Sequence, residues 1–193
     1  MARKDKNMRK NLKPKPLLYP LPVLIIGTYD ENGIPNAMNA AWGTVWDFDK
    51  VGIILSANHK TTKNIMLKKA FTVSMADINN VVEADYVGVV SANDVPNKLE
   101  KTNWTIEKSE FIDAPIFKEL PLTLECKLVS YDEESECVVG EIVNVSCDET
   151  IIKDNDKIDL SKFKPLVYDT SNHEYLTLGE KVGNAFSDGL KLK

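Results

Sequence analysis

The chain has 193 residues and a formal net charge of −5, with 43% hydrophobic and 27% charged residues. These values are ordinary for a soluble globular protein. The acidic balance excludes a general nucleic-acid binder, which needs a basic face, and no apolar run reaches the roughly 20 residues of a membrane helix.

The N-terminus carries Arg3, Lys4, Lys6, Arg9, Lys10, Lys13 and Lys15 against a single acid, Asp5. No apolar segment follows that would make it a signal peptide. Residues 1–13 therefore read as a flexible basic arm, ahead of one domain over 14–193. The prolines at 14, 16, 20 and 22 enforce an extended entry that cannot be helical.

Val23–Tyr29 predicts a strand, and Asn32-Gly33 predicts a tight hairpin turn with positive φ angles. A second strand is expected over Ala37–Trp46. Its Met38-Asn39-Ala40-Ala41-Trp42-Gly43 core is small and polar, as where another body lies against the backbone. Val51–Ala57 predicts a third strand, and a helix over Thr61–Lys69 would bury Ile65 and Leu67. Phe71–Ala76 alternates as a strand, and Asn79–Val90 reads as helical. Asp94 is placed to cap a short helix running through Lys98 and Leu99. Leu122–Tyr131 and Cys137–Cys147 predict two long strands around the acidic turn Asp132–Glu136. The tail from Leu160 mixes a short helix with a hairpin-like run at Tyr175–Leu178.

Six strands joined mostly by short turns, with helices inserted, predict a mainly β fold: an antiparallel barrel with helical decoration. A doubly wound sheet would need regular strand–helix alternation, which fails in the first fifty residues. Cys126, Cys137 and Cys147 are odd in number and form no CxxC pair. They read as reduced thiols in a reducing, cytoplasmic setting.

The segment Asn58-His59-Lys60-Thr61-Thr62-Lys63-Asn64-Ile65 follows the strand-like run that ends at Ser56. It gathers hydroxyls, an ammonium, an imidazole and free backbone N–H groups at a helix start, where the partial positive charge of the helix end favours anions. This composition suits a phosphate monoester, and the lack of a Gly-rich loop favours a mononucleotide-like cofactor over ATP. The same residues also read as ordinary capping, with Thr61 or Asn58 as the cap and Lys60 and Lys63 as solvated charges. Trp42 reads equally as a core or interface residue or as a ligand wall. Trp46 and Trp104 read as packing, His173 as a surface residue, and Lys98, taken alone, as a solvated lysine. Asp154-Asn155-Asp156 lacks the Gly and the terminal Glu of a calcium loop and reads as an acidic turn.

Taken in order, Pro20-Leu21-Pro22-Val23, Gly27-Thr28-Tyr29-Asp30, Gly33-Ile34-Pro35-Asn36, Asn39-Ala40-Ala41-Trp42 and the His59–Ile65 elbow resemble the flavin reductase-like family of FMN-binding split barrels, in its flavoredoxin branch. The resemblance continues through Ala84–Ser91, Asp94, Lys98, Ala114-Pro115, Leu124-Glu125-Cys126, Gly140-Glu141-Ile142 and Leu166–Asp169, over about residues 14–189. It implies a noncovalent flavin, FMN rather than FAD, at the interface of a homodimer. It also implies electron transfer, with NAD(P)H as a common transient donor and a donor or acceptor protein as a partner.

By position, the resemblance implies that Met38–Trp42 lines the flavin ring. Backbone groups of Asn39, Ala40 and Ala41 would lie near its pyrimidine edge. Asn58, His59, Lys60 and Thr61 would hold the phosphate, Ser56 would be a further cofactor-binding residue, and Lys98 would approach the flavin. His59 stands where the family usually has Arg; it would grip an anion better when protonated, which makes that grip pH-dependent. Ser135 stands where relatives often carry a His near the donor pocket, which favours plain electron carriage over direct nicotinamide chemistry. Two other readings stay open: an NAD(P)H:flavin reductase releasing reduced FMN, and a non-enzymatic ligand-binding or dimerisation barrel. No metal site and no catalytic acid or base is expected, because hydride arrival at a flavin needs none.

Overall fold

The computed structural model describes residues 9–193. The expected basic arm lies mostly outside them, and its described part, residues 9–13, is exposed and without regular structure. Strands β1 (Leu21–Pro22), β2 (Leu24–Tyr29), β3 (Pro35–Ala40), β4 (Gly43–Asp47) and β5 (Lys50–Ile54) precede helix α1 (Lys60–Lys68). Strand β6 (Ala70–Met75), helix α2 (Val81–Val89), a 3-10 turn at Lys98–Lys101, β7 (Ile106–Lys108) and β8 (Pro115–Phe117) follow. The long pair β9 (Leu122–Asp132) and β10 (Cys137–Cys147) comes next. Short strands β11 (Ile152–Lys153), β12 (Lys157–Ile158), β13 (Leu166–Asp169) and β14 (Glu174–Thr177) complete the order.

Seven strands form one antiparallel sheet in the order β3-β2-β6-β9-β10-β5-β4. The two edges of that sheet, β3 and β4, are consecutive in the chain but do not pair with each other, so the curled sheet stays open between them. The expected single strand over Ala37–Trp46 is therefore two strands, which raises the count above six. The break falls at Ala41-Trp42, where the chain steps from one sheet edge to the other and the Trp42 carbonyl accepts from Ile54 N–H at 2.9 Å.

β2 reads as a continuous apolar run because both of its faces are buried. Leu24 and Ile26 enter the barrel interior with Ile53, Leu55, Ile65 and Phe71. Val23 and Ile25 enter a second core under α2 with Ala84, Val87, Trp104 and Phe117. In the β2–β3 hairpin only Gly33 takes a positive φ, 76°; Asn32 does not. The predicted pair of positive angles is replaced by a carboxylate brace, in which Asp30 Oδ1 accepts from the N–H groups of Asn32 and Ile34, both at 2.9 Å.

Other local expectations shift for identifiable reasons. Leu67 is exposed, because α1 is only nine residues long and one face of it covers the barrel. Asn97, not Asp94, stands at the cap position of the 3-10 turn, without a side-chain capping bond. Trp104 is packing as expected, tilted 5.2 Å from Phe117. Trp46 lies over Gly52, where a Cβ would come within 2.6 Å of its ring, yet the indole remains more than half exposed. Among the described residues, no helix is long and apolar enough to cross a membrane.

Candidate functional site

β3 runs between the two helices, and its residues divide between them. Asn36 and Met38 meet the start of α1: Asn36 Nδ2 donates to Thr61 Oγ1 at 2.8 Å, and Met38 Sδ lies 3.0 Å from His59 Nδ1. Asn39 turns the other way and donates from Nδ2 to the Ala84 carbonyl of α2 at 3.0 Å. Small residues let α2 come this close. A Cβ at Gly88 would stand 2.9 Å from that of Asn39.

The start of α1 is uncapped. His59 occupies the cap position in an extended conformation with no side-chain capping bond, and the first helical bond runs from Lys63 N–H to His59 O at 3.2 Å. The N–H groups of Lys60, Thr61 and Thr62 thus have no acceptor within the helix. Neither Thr61 nor Asn58 caps it, contrary to one sequence expectation. Thr61 is buried inside the first turn, and Asn58 instead offers its carbonyl to Asn93 Nδ2 at 3.2 Å. Thr62 Oγ1 donates back to the Ser56 carbonyl at 2.7 Å, which fixes the elbow.

Of these residues His59, Lys60 and Thr61 line a cavity of about 140 Å3, bounded also by Asn36, Met38 and Lys98, with Val87–Asn93 as its far wall. Asn36 is only 4% exposed, and its Oδ1 has no hydrogen-bond partner. A buried acceptor left unpaired in a cavity wall wants a donor. Thr61 Oγ1 already accepts from Asn36, so its own proton remains to be donated. The donor set therefore fits a phosphate monoester at the helix start, and the Asn36 acceptor fits a hydroxyl-bearing tail.

Lys98 is not a solvated lysine. It is 3% exposed, and its Nζ donates to the carbonyls of Val87 at 2.7 Å and Val90 at 2.6 Å, the last turn of α2. Burial pushes its pKa down to about 8.

A second cavity of about 300 Å3 shares Gly88 and Val89 with the first. Asn39, Ala41, Asp85, Tyr168, His173 and Tyr175 complete its lining. Tyr175 donates to Asp85 Oδ1 at 2.8 Å, and burial, followed by that carboxylate, holds its hydroxyl well above the usual tyrosine range. The imidazole of His173 meets Tyr168 Oη at 2.8 Å; it is exposed, as expected, but it does have a partner.

Of the residues that the resemblance implied, Met38, His59, Lys60, Thr61 and Lys98 share the first cavity, and Asn39 and Ala41 line the second. Ala40 faces the barrel core. Ser56 and Asn58 serve the elbow through their carbonyls. Trp42 lies apart, in an apolar groove of about 320 Å3 with Leu18, Trp46 and Ile54. Sequence reasoning missed Asn36, Gly88 and the Tyr168–Tyr175 pair. The Asn36 signal was available, as an amide alternating with Met38 on the strand that precedes the elbow.

The family model described as "Flavin reductase like domain" matches residues 17–177. Among solved structures, the chain is similar to flavoredoxin of Desulfovibrio vulgaris (Miyazaki F), at 33% identity and TM-score 0.90, covering 94% of this chain and all of the other. It is similar to flavoredoxin from Methanosarcina acetivorans at 26% identity and TM-score 0.87, covering 97% of this chain and all of the other. An FMN-binding domain of a flavin reductases-like enzyme from Shewanella baltica OS155 shares the fold, at 20% identity and TM-score 0.77 over 84% of this chain and 88% of that one. With the family model covering most of the chain, the chain belongs to the flavin reductase-like family.

Proposed function

We propose that this protein is an FMN-binding oxidoreductase that carries electrons between a donor and an acceptor. The observation that carries the reading is the partnerless Asn36 Oδ1, buried beside an uncapped helix start in one cavity wall. The two flavoredoxins and the FMN-binding domain to which the chain is similar support the flavin and its mononucleotide form. Bound FMN supplies one- and two-electron transfer.

The chain's own residues bind and orient. The first-turn N–H groups of α1 and the Thr61 hydroxyl suit the phosphate, with His59 beside them. Asn36 Oδ1 suits a ribityl hydroxyl. Lys98 fixes the end of α2, which walls both cavities, and places a cation in that wall. Micromolar retention of FMN needs about 8 kcal/mol; the helix end contributes about 0.3–2 kcal/mol, so ring burial and the remaining hydrogen bonds must supply most of it.

Electron carriage is favoured over turnover with NAD(P)H. Ser135 is tied into its turn, with N–H and Oγ both donating to Asp132 Oδ1, and contributes no imidazole there. A homodimer is supported by the exposed apolar edge at β4, where Val45, Trp46 and Phe48 stand in solvent beside the Trp42 groove. The three free cysteines suit a reducing, cytoplasmic setting.

The test is the visible absorbance of the purified protein, followed by anaerobic titration with NADH and NADPH. A retained flavin band with negligible steady-state nicotinamide oxidation is expected. A colourless protein that takes up neither FMN nor FAD would falsify the proposal.

A further inference from the structure

A third cavity, of about 340 Å3, adjoins the helix start beyond Lys60 and shares Asn36, Lys60, Ala92 and Asn93 with the proposed phosphate site. Its volume lies within the range of ligand-holding pockets, about 300–1,000 Å3, so bulk alone does not close it. Its charge is distinctive. Asp30 and Glu31 line it, and both address Lys60: Glu31 Oε2 lies 3.2 Å and Asp30 Oδ2 3.7 Å from Nζ. Two carboxylates thus surround one ammonium.

We propose that Glu31, backed by Asp30, is a specificity determinant that admits a flavin with one phosphate and rejects one with two. This rests on the reading that the start of α1 holds a flavin phosphate. That first phosphate meets first-turn N–H groups and the positive end of the helix, whose influence fades beyond one turn. A second phosphate extending past Lys60 leaves that influence. It meets carboxylate oxygens whose neighbouring cation is already engaged, and like-charge juxtaposition costs affinity and serves as a device of specificity.

The two acids are held in place differently. Asp30 is fixed by the N–H groups of Asn32 and Ile34 as part of the hairpin. Glu31 is more exposed, and among the described residues its one side-chain partner is Lys60. Its own backbone N–H, followed by Lys60, holds its carboxyl below the usual range, so it stays ionised at neutral pH. Glu31 can therefore be changed without disturbing the turn.

The experiment titrates the flavin-freed full chain with FMN and with FAD, following flavin fluorescence, for the wild type, Glu31→Gln and Glu31→Lys. The wild type is expected to bind FMN at least about tenfold tighter than FAD. The Kd ratio should fall about threefold in Glu31→Gln and about tenfold in Glu31→Lys, the scale of one exposed charge pair and of its reversal. Raising the salt should shrink the wild-type ratio and leave that of Glu31→Gln nearly unchanged. Equal affinities in the wild type, or a ratio that Glu31→Lys does not move, overturns the inference while the flavin reading stands. Failure of every variant to bind either flavin, with native circular dichroism, overturns both.

Discussion

Asn36 and Thr61 are joined by a buried 2.8 Å hydrogen bond that ties the β3 strand to the first turn of α1. The bond uses the amide's donor and leaves its acceptor buried and without a partner, on a residue that lines the cavity. One residue pair thus sets both the helix position and the polarity of the site. Thr61→Val keeps the shape and removes the acceptor, which strands a second atom of Asn36. Urea denaturation should show a loss of about 1–3 kcal/mol. FMN titration should show weaker binding as well, by about tenfold, from the lost hydroxyl donor.

Lys98 gives a pH prediction with a definite sign. Its pKa falls from the ordinary lysine value to about 8 on folding. Between about pH 8 and 10.5 the unfolded chain holds a proton that the native chain has released, so this group's contribution to stability rises with pH. Below pH 8 both states are protonated and the contribution is flat. The stability of the wild type minus that of Lys98→Met should therefore climb across this window, by at most about 3 kcal/mol. The two carbonyl acceptors, at 2.7 and 2.6 Å, favour the charged form and reduce the rise. A difference that falls between pH 8 and 10.5 in paired denaturation curves refutes the assignment.

Gly88→Ala sets two effects against each other. Alanine favours a helix by up to about 1 kcal/mol over glycine. The new methyl would stand 2.9 Å from Asn39 Cβ, and neither β3 nor α2 can withdraw without losing the Asn39–Ala84 bond. Overpacking of this kind costs about 1–3 kcal/mol, so the variant should be the less stable by thermal melting. Its flavin affinity should fall too, since both cavities use this residue.

The exposed edge at β4 predicts an assembly. Phe48, in the turn after β4, is fully exposed, and Trp46 on β4 is 59% exposed. Isolated surface apolar residues are common, but a contiguous group marks an interface. Sedimentation should find a dimer for the wild type and a monomer for Trp46→Glu. A monomeric wild type at micromolar concentration would count against the homodimer.

Much of this was legible in the chain. β2, β9, β10 and both helices follow from apolar runs and periodicity, which the local sequence carries. The strand–elbow–helix segment announced an anion site because cap-type residues and cations cluster there. Three things were hidden, each for a tertiary reason. Lys98 reads as a surface lysine until the end of α2 is brought over it. Asn36 shows in the sequence as an amide alternating with Met38, but that its acceptor is left stranded shows only once Thr61 takes its donor. The division of the second expected strand depends on where the sheet ends, which no local pattern encodes.

The adjacency of the two sheet ends bears on how the chain assembles. β2–β3, β4–β5 and β9–β10 are hairpins between near neighbours in sequence. The ladder between β10 and β5 instead joins segments separated by α1, β6, α2 and β7–β9. Loop closure over such a distance is entropically costly and slow. The hairpins are therefore expected to form early, and the registry of Val138 against Ile53, which joins the β4–β5 hairpin to the rest of the sheet, to come late.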